Sequence, residues 1–149
     1  MKITYLTNPV DIVHNWPALE KGFKWLADRT NFNFDPEKTL QTICHISAQP
    51  DKNYIAVLNS PNGELLSFLI AFDATPIYEE ERVFQIFALL HKPAQIRSTR
   101  KLLNNFELWA MSKGVHHYYL PIRKYGKSNL SLFSRLGFKR DSLILTKEM

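Results

Sequence analysis

Residues His91 to Gly114, HKPAQIRSTRKLLNNFELWAMSKG, open with the chemistry of an anion site. An apolar run ending at Leu90 leads through a short turn into an amphipathic helix. The first-turn N–H groups of such a helix have no intrahelical partner, and with the positive end of the helix dipole they favour a phosphate. Arg97, Arg100 and Lys101 would add cationic donors, the arginines as forks that match phosphate oxygens in pairs. The N–H groups of Ser98 and Thr99 belong to the same turn. A solvated basic turn is the competing reading of these residues.

Groups able to move a proton lie on either side. His91 ends the apolar run, and an imidazole titrates near neutrality. Glu79, Glu80 and Glu81 precede the run, with Glu81 nearest to it. His116 and His117 alternate faces, so one of the two is expected to face a cleft, and Tyr125 is a weak acid ahead of a late helix. Cys44 and His45 are adjacent on a helix and point apart; Cys44 falls on the apolar side, as a structural cysteine does. The five histidines and one cysteine show no metal-ligand spacing. No phosphate-binding Gly-rich motif and no nucleophile elbow is present.

The elements that must hold these groups follow from periodicity. KITYLT alternates as a strand. NWPALEKGFKWLADRT reads as a helix with Asn15 as N-cap and Pro17 in its first turn. In DPEKTLQTICHISAQ, Asp35 caps and Pro36 takes the first helical position, with Leu40, Ile43, Cys44 and Ser47 on one face. Asn62-Gly63 marks a hairpin between NYIAVLNS and ELLSFLIAF. RVFQIFALLHK is a strand apolar on both faces, and a long helix runs from about Ala94 to Lys113, stopped by Gly114. VHHYYLPI is a strand, KSNLSLFSRLGF holds a short helix ended by Gly137, and DSLILTKE closes the sheet. The order β-α-α-β-β-β-α-β-α-β predicts a mixed, mostly antiparallel α/β (α+β) sheet flanked by about four helices.

A chain of 149 residues with 45% hydrophobic and 13% aromatic content predicts one folded domain over residues 1–149. The single cysteine and the absence of a leader-like or spanning apolar run predict a soluble, cytoplasmic protein. The formal charge of +5 suits an anionic partner. No nucleic-acid-binding motif accompanies it, so nucleic acid is a distant option, and no membrane contact is expected.

The element order, together with WAMSKG and SLFSRLGF, resembles the GNAT acetyltransferase superfamily. The resemblance covers the whole chain in topology and its last ~60 residues in sequence pattern. It implies an acetyl-CoA-dependent N-acyltransferase that modifies a primary amine of a protein or small molecule by direct attack. The pyrophosphate would sit at Arg97, Ser98, Thr99, Arg100 and Lys101. Pantetheine would lie along the backbone of Phe87, Ala88 and Leu89, and Asn129 would either bond it or cap the late helix. A backbone N–H in the same strand would polarise the thioester carbonyl. His91 would stand near the acyl group, with the Glu81 carboxylate and Tyr125 as further proton handlers.

The family's loop carries two glycine positions. One alignment puts Arg97 and Thr99 there, another Ser98 and Arg100. The family's usual base position falls at Phe84 or Gln85, and its usual tyrosine at Phe133. Small divergent members occur in phage genomes, including as virion components. The alternative is therefore a catalytically degenerate GNAT-fold binding or structural protein, in host cytoplasm or virion. The resemblance leaves the oligomeric state open, a homodimer included.

Overall fold

The computed structural model describes residues 1–30, 32–121, 127–139 and 147, with residues 127–130 described by backbone alone. The chain runs β1 (Lys2–Tyr5), α1 (Pro9–Thr30), α2 (Pro36–Ser47), β2 (Tyr54–Asn59), β3 (Leu65–Asp73), β4 (Phe84–Leu89), a 3-10 turn (Pro93–Gln95), α3 (Ile96–Ser112), β5 (Tyr118–Tyr119) and α4 (Lys127–Arg135). The closing strand expected from DSLILTKE lies outside the described residues.

The five strands among the described residues form one sheet in the order β1-β2-β3-β4-β5; β1 to β4 pair antiparallel and β4 pairs β5 parallel. The mixed, mostly antiparallel α/β sheet with four α-helices is the architecture expected from the element order. Ser60 and Glu64 close the β2–β3 hairpin through an N–H to carbonyl bond of 2.8 Å, with Gly63 at φ 82°. Only glycine takes that conformation without strain.

Two apolar clusters sandwich the sheet. On one face Leu102, Leu103, Phe106 and Ala110 of α3, with Phe133 of α4, pack on Leu58, Leu69, Phe84, Ile86 and Leu89. On the other, Ile12, Leu19, Phe23 and Leu26 of α1 and Ile43 and Ile46 of α2 cover Val57, Phe68, Ile70, Ala88 and Leu90. Both faces are therefore dry, which is why β3 and β4 read as continuous apolar runs.

The first helix begins earlier than its sequence suggested. Asn8, not Asn15, is the cap: its Oδ1 accepts the Asp11 N–H at 2.9 Å, while Asp11 Oδ2 accepts the Thr7 N–H at 3.1 Å. Pro9 fills the first helical position, and Pro17 sits inside the helix. An interior proline removes one helical hydrogen bond. Here Val13, four residues before it, and Pro17 are both exposed, so the orphaned carbonyl lies on the solvent side.

Candidate functional site

Strand β4 is paired very differently along its two edges. Against β3 the ladder runs from Asp73↔Phe84 to Leu69↔Leu89. Its register jumps between Ala71↔Ile86 and Ile70↔Ala88, so Phe87 is an extra residue, a β-bulge. The bulge reverses the strand's parity. Phe84 and Ile86 belong to the α3-side cluster, whereas Ala88 and Leu90 belong to the α1/α2 side. Against β5, among the described residues, only Phe84↔Tyr118 and Gln85↔Tyr119 pair. Among the described residues, VHHYYLPI contributes two to the ladder, and Leu120 and Pro121 do not pair with Ile86 and Phe87.

A cleft of about 720 Å³ opens beside these residues. Ile86, Phe87, Ala88 and Leu89 of β4 line it, with Leu120, Pro121 and Phe133 on the β5/α4 side and Phe23, Leu26 and Phe32 on the α1 side. Gln85, at the expected base position, also lines it, while Phe84 is fully buried beneath α3. A second cavity of about 610 Å³ lies between α2 and the end of β3, and Phe87 lines both.

His91 stands where the cleft meets the two faces of the sheet. It is 3% exposed, with Trp25 of α1 edge-on at 6.0 Å and Phe133 of α4 at 5.0 Å. Its Nδ1 lies 2.9 Å from the Leu89 carbonyl, an acceptor only, so Nδ1–H donates and Nε2 carries the lone pair in the neutral ring. Burial pushes the imidazole below its ordinary value; the Leu89 hydrogen bond pulls the other way and is outweighed. The ring is thus neutral at pH 7.

Helix α3 opens next to this cleft. Its N-cap, Gln95, makes no side-chain cap bond, and its first turn contains no acidic residue. Arg97, Arg100 and Lys101 are exposed, while Ser98 and Thr99 are 2% and 0% exposed. The Thr99 hydroxyl lies 3.4 Å from the Leu90 carbonyl and 3.3 Å from that of Gln95, and Ser98 Oγ lies 3.5 Å from Met1 Sδ. Of the four residues at the glycine positions in the two alignments, two therefore bury their side chains inside the fold. The other two, both arginines, project into solvent.

The remaining predicted groups lie elsewhere. Glu81 is on the β3–β4 loop, 3.4 Å from His117 Nδ1, in a pair whose partners are about two-thirds exposed. An ion pair so open to water contributes little. Neither His116 nor His117 lines the cleft. Cys44 is half-buried on α2 and packs against the α1/α2 core. Asn129 falls in the first turn of α4, its side chain outside the described residues, and Tyr125 is outside them altogether. Sequence reasoning missed the aromatic wall: Phe23, Phe34 and Phe87 form a connected set, with Phe23 stacked on Phe34 at 5.7 Å and 6.4 Å from Phe87. The signal was present as the spacing of Phe23, Phe32 and Phe34, which ends α1 and begins the turn to α2.

No family model matches the chain, and no curated protein is similar to it in sequence. Solved structures are similar in fold. An aminoglycoside acetyltransferase from an uncultured soil metagenomic sample, solved with sisomicin, superposes with a TM-score of 0.71 at 17% identity, covering 99% of this chain and 94% of that one. A ribosomal-protein-alanine N-acetyltransferase from Brucella melitensis biovar Abortus gives 0.67 at 13% identity, with both chains covered in full. Among the described residues no helix is long and apolar enough to cross a membrane. The chain thus has the fold of the GNAT acetyltransferases.

Proposed function

We propose that the protein is an acetyltransferase that takes its acetyl group from acetyl-CoA and transfers it to an amine. The observation that carries this reading is a juxtaposition: an uncapped, acid-free helix N-terminus with three cations, next to a strand edge where Ile86 and Phe87 have no ladder partner among the described residues of the β5 segment. The first suits the pyrophosphate and the second suits the amide-bearing pantetheine arm, which can pair with it as an added strand does. The solved neighbours, acetyltransferases acting on an aminoglycoside and on a ribosomal protein's alanine, support the same chemistry.

Acetyl-CoA supplies an activated acyl thioester. Arg97, Arg100, Lys101 and the α3 first-turn amides hold its phosphates, and the β4 backbone from Phe87 to Leu89 aligns the arm and offers an N–H to the carbonyl oxygen. The amine nitrogen forms the C–N bond as the C–S bond breaks, and the amine's proton ends on the departing sulfur. His91, neutral with its lone pair on Nε2, is the group at the cleft suited to take that proton in passing. Asn129 and Tyr125 are the α4-side candidates for contacts to the arm and to the sulfur. The Glu81 carboxylate, on its exposed loop, is assigned a minor part. No observation favours the non-catalytic alternative.

The test is an amide-proton NMR titration with acetyl-CoA. Shifts confined to Phe87–Leu89 and Ile96–Thr99 are the expected result. Saturating acetyl-CoA that moves neither set would remove the reading.

A further inference from the structure

The cleft differs from what a cationic acceptor requires. Its described lining contains ten apolar residues, the polar Thr30, Asn33, Thr39, Gln85 and His91, and no carboxylate or cation. The polar groups are partly committed already: the Thr30 hydroxyl donates to the Leu26 carbonyl at 2.7 Å, and His91 Nδ1–H to Leu89. Among the described residues, no carboxylate is part of the lining. Asp73 borders the second cavity and is paired with Arg82 at 3.3 Å, and Glu81 pairs with His117. Two cations near the cleft, Arg29 and Lys92, sit over the Trp25 ring at 5.1 and 6.0 Å.

An alkylammonium entering such a cleft would lose its hydration with no counter-ion among the described lining residues to replace it. Before attack it would also have to lose a proton that water holds tightly. A nitrogen that is uncharged at pH 7 meets neither obstacle, and an aromatic body would pack against Phe23, Phe87 and the half-exposed Phe32 at the rim.

We propose that the acceptor is a small, uncharged aromatic amine, seated between α1 and β4 against Phe23, Phe32 and Phe87. The proposal rests on the acetyltransferase reading and narrows it, setting this chain apart from enzymes whose acceptors are polycations. The neutral His91 imidazole is matched to such a nitrogen, which becomes acidic only as its C–N bond forms.

The test uses 4-ethylaniline and spermidine as probes, by NMR and calorimetry on the whole chain, with acetyl-CoA titrated separately. Saturable shifts at Phe32, Phe87 and His91 with 4-ethylaniline, and none with spermidine at tenfold higher concentration, are expected. Phe32→Asp, at an exposed rim position, is expected to weaken 4-ethylaniline about tenfold with Tm unchanged. Spermidine binding as tightly as 4-ethylaniline, or 4-ethylaniline leaving those signals in place, would overturn the proposal. Failure of acetyl-CoA to bind would instead overturn the acetyltransferase reading, and the amine titrations would still decide the cleft's preference.

Discussion

Helices α2 and α3 both begin beside a proline, yet their ends are finished in opposite ways. At α2 the Asp35 side chain accepts the Lys38 N–H at 3.1 Å, and Glu37 adds a second negative charge to the first turn. At α3 Gln95 caps nothing, no acid follows, and the exposed charges are Arg97, Arg100 and Lys101. Helix α1 resembles α2: Asn8 Oδ1 accepts the Asp11 N–H, and Asp11 Oδ2 accepts the Thr7 N–H. Two helix ends are thus completed from within the chain. The third has no side-chain cap and no acid in its first turn, and it is the one beside the cleft.

Substitutions that exchange these finishes break the comparison most directly. The largest effect is expected from Arg97→Ala/Arg100→Ala, which removes two charge-assisted contacts and should weaken acetyl-CoA by about 3 kcal/mol, or ~100-fold, in calorimetry. Both side chains are exposed, so Tm should hold. Gln95→Asp gives α3 the finish of α2: acetyl-CoA should weaken about tenfold through repulsion of its phosphates, while Tm rises slightly. Asp35→Ala does the converse at α2, costing about 1 kcal/mol and lowering Tm by about 3 °C with acetyl-CoA affinity unchanged.

The smallest effect concerns His91. Its folded-state value lies below the ordinary 6.5, so between those two values the unfolded chain binds a proton that the native ring refuses. Stability should therefore fall as pH drops below about 6.5. His91→Gln should flatten that slope in denaturant titrations at pH 5 to 7, and an unchanged slope would show that the imidazole is not held neutral.

What the sequence could and could not disclose divides along the range of the interactions. Local signals were read correctly where backbone geometry demands a particular residue: Asp35-Pro36 at α2, and Gly63, Gly114 and Gly137, whose φ values are 82°, 77° and 95°. The start of α1 was misplaced because Asn8-Pro9 and Asn15-x-Pro17 offer the same signal twice, and solvent exposure around Val13 makes the inner proline tolerable. The long-range features were beyond local reading. FQIFALL is apolar on both faces whether or not Phe87 is a bulge, so the parity switch leaves no trace in alternation. The strand VHHYYLPI looks long enough to pair throughout, and that Leu120 and Pro121 do not join the pairing with β4 shows only in the ladder. The inward turn of Ser98 and Thr99 depends in part on the Leu90 carbonyl, which is nine residues from Thr99.

The central claim is that the open end of α3 binds the phosphates of an acyl-CoA. Calorimetric titration of the unaltered protein with acetyl-CoA and, in parallel, with S-acetylpantetheine, which has the same thioester arm and no phosphate, tests it most directly. The account predicts micromolar binding of acetyl-CoA and S-acetylpantetheine weaker by at least ~100-fold. Equal affinity for the two, or no heat from either at millimolar concentration, would contradict it.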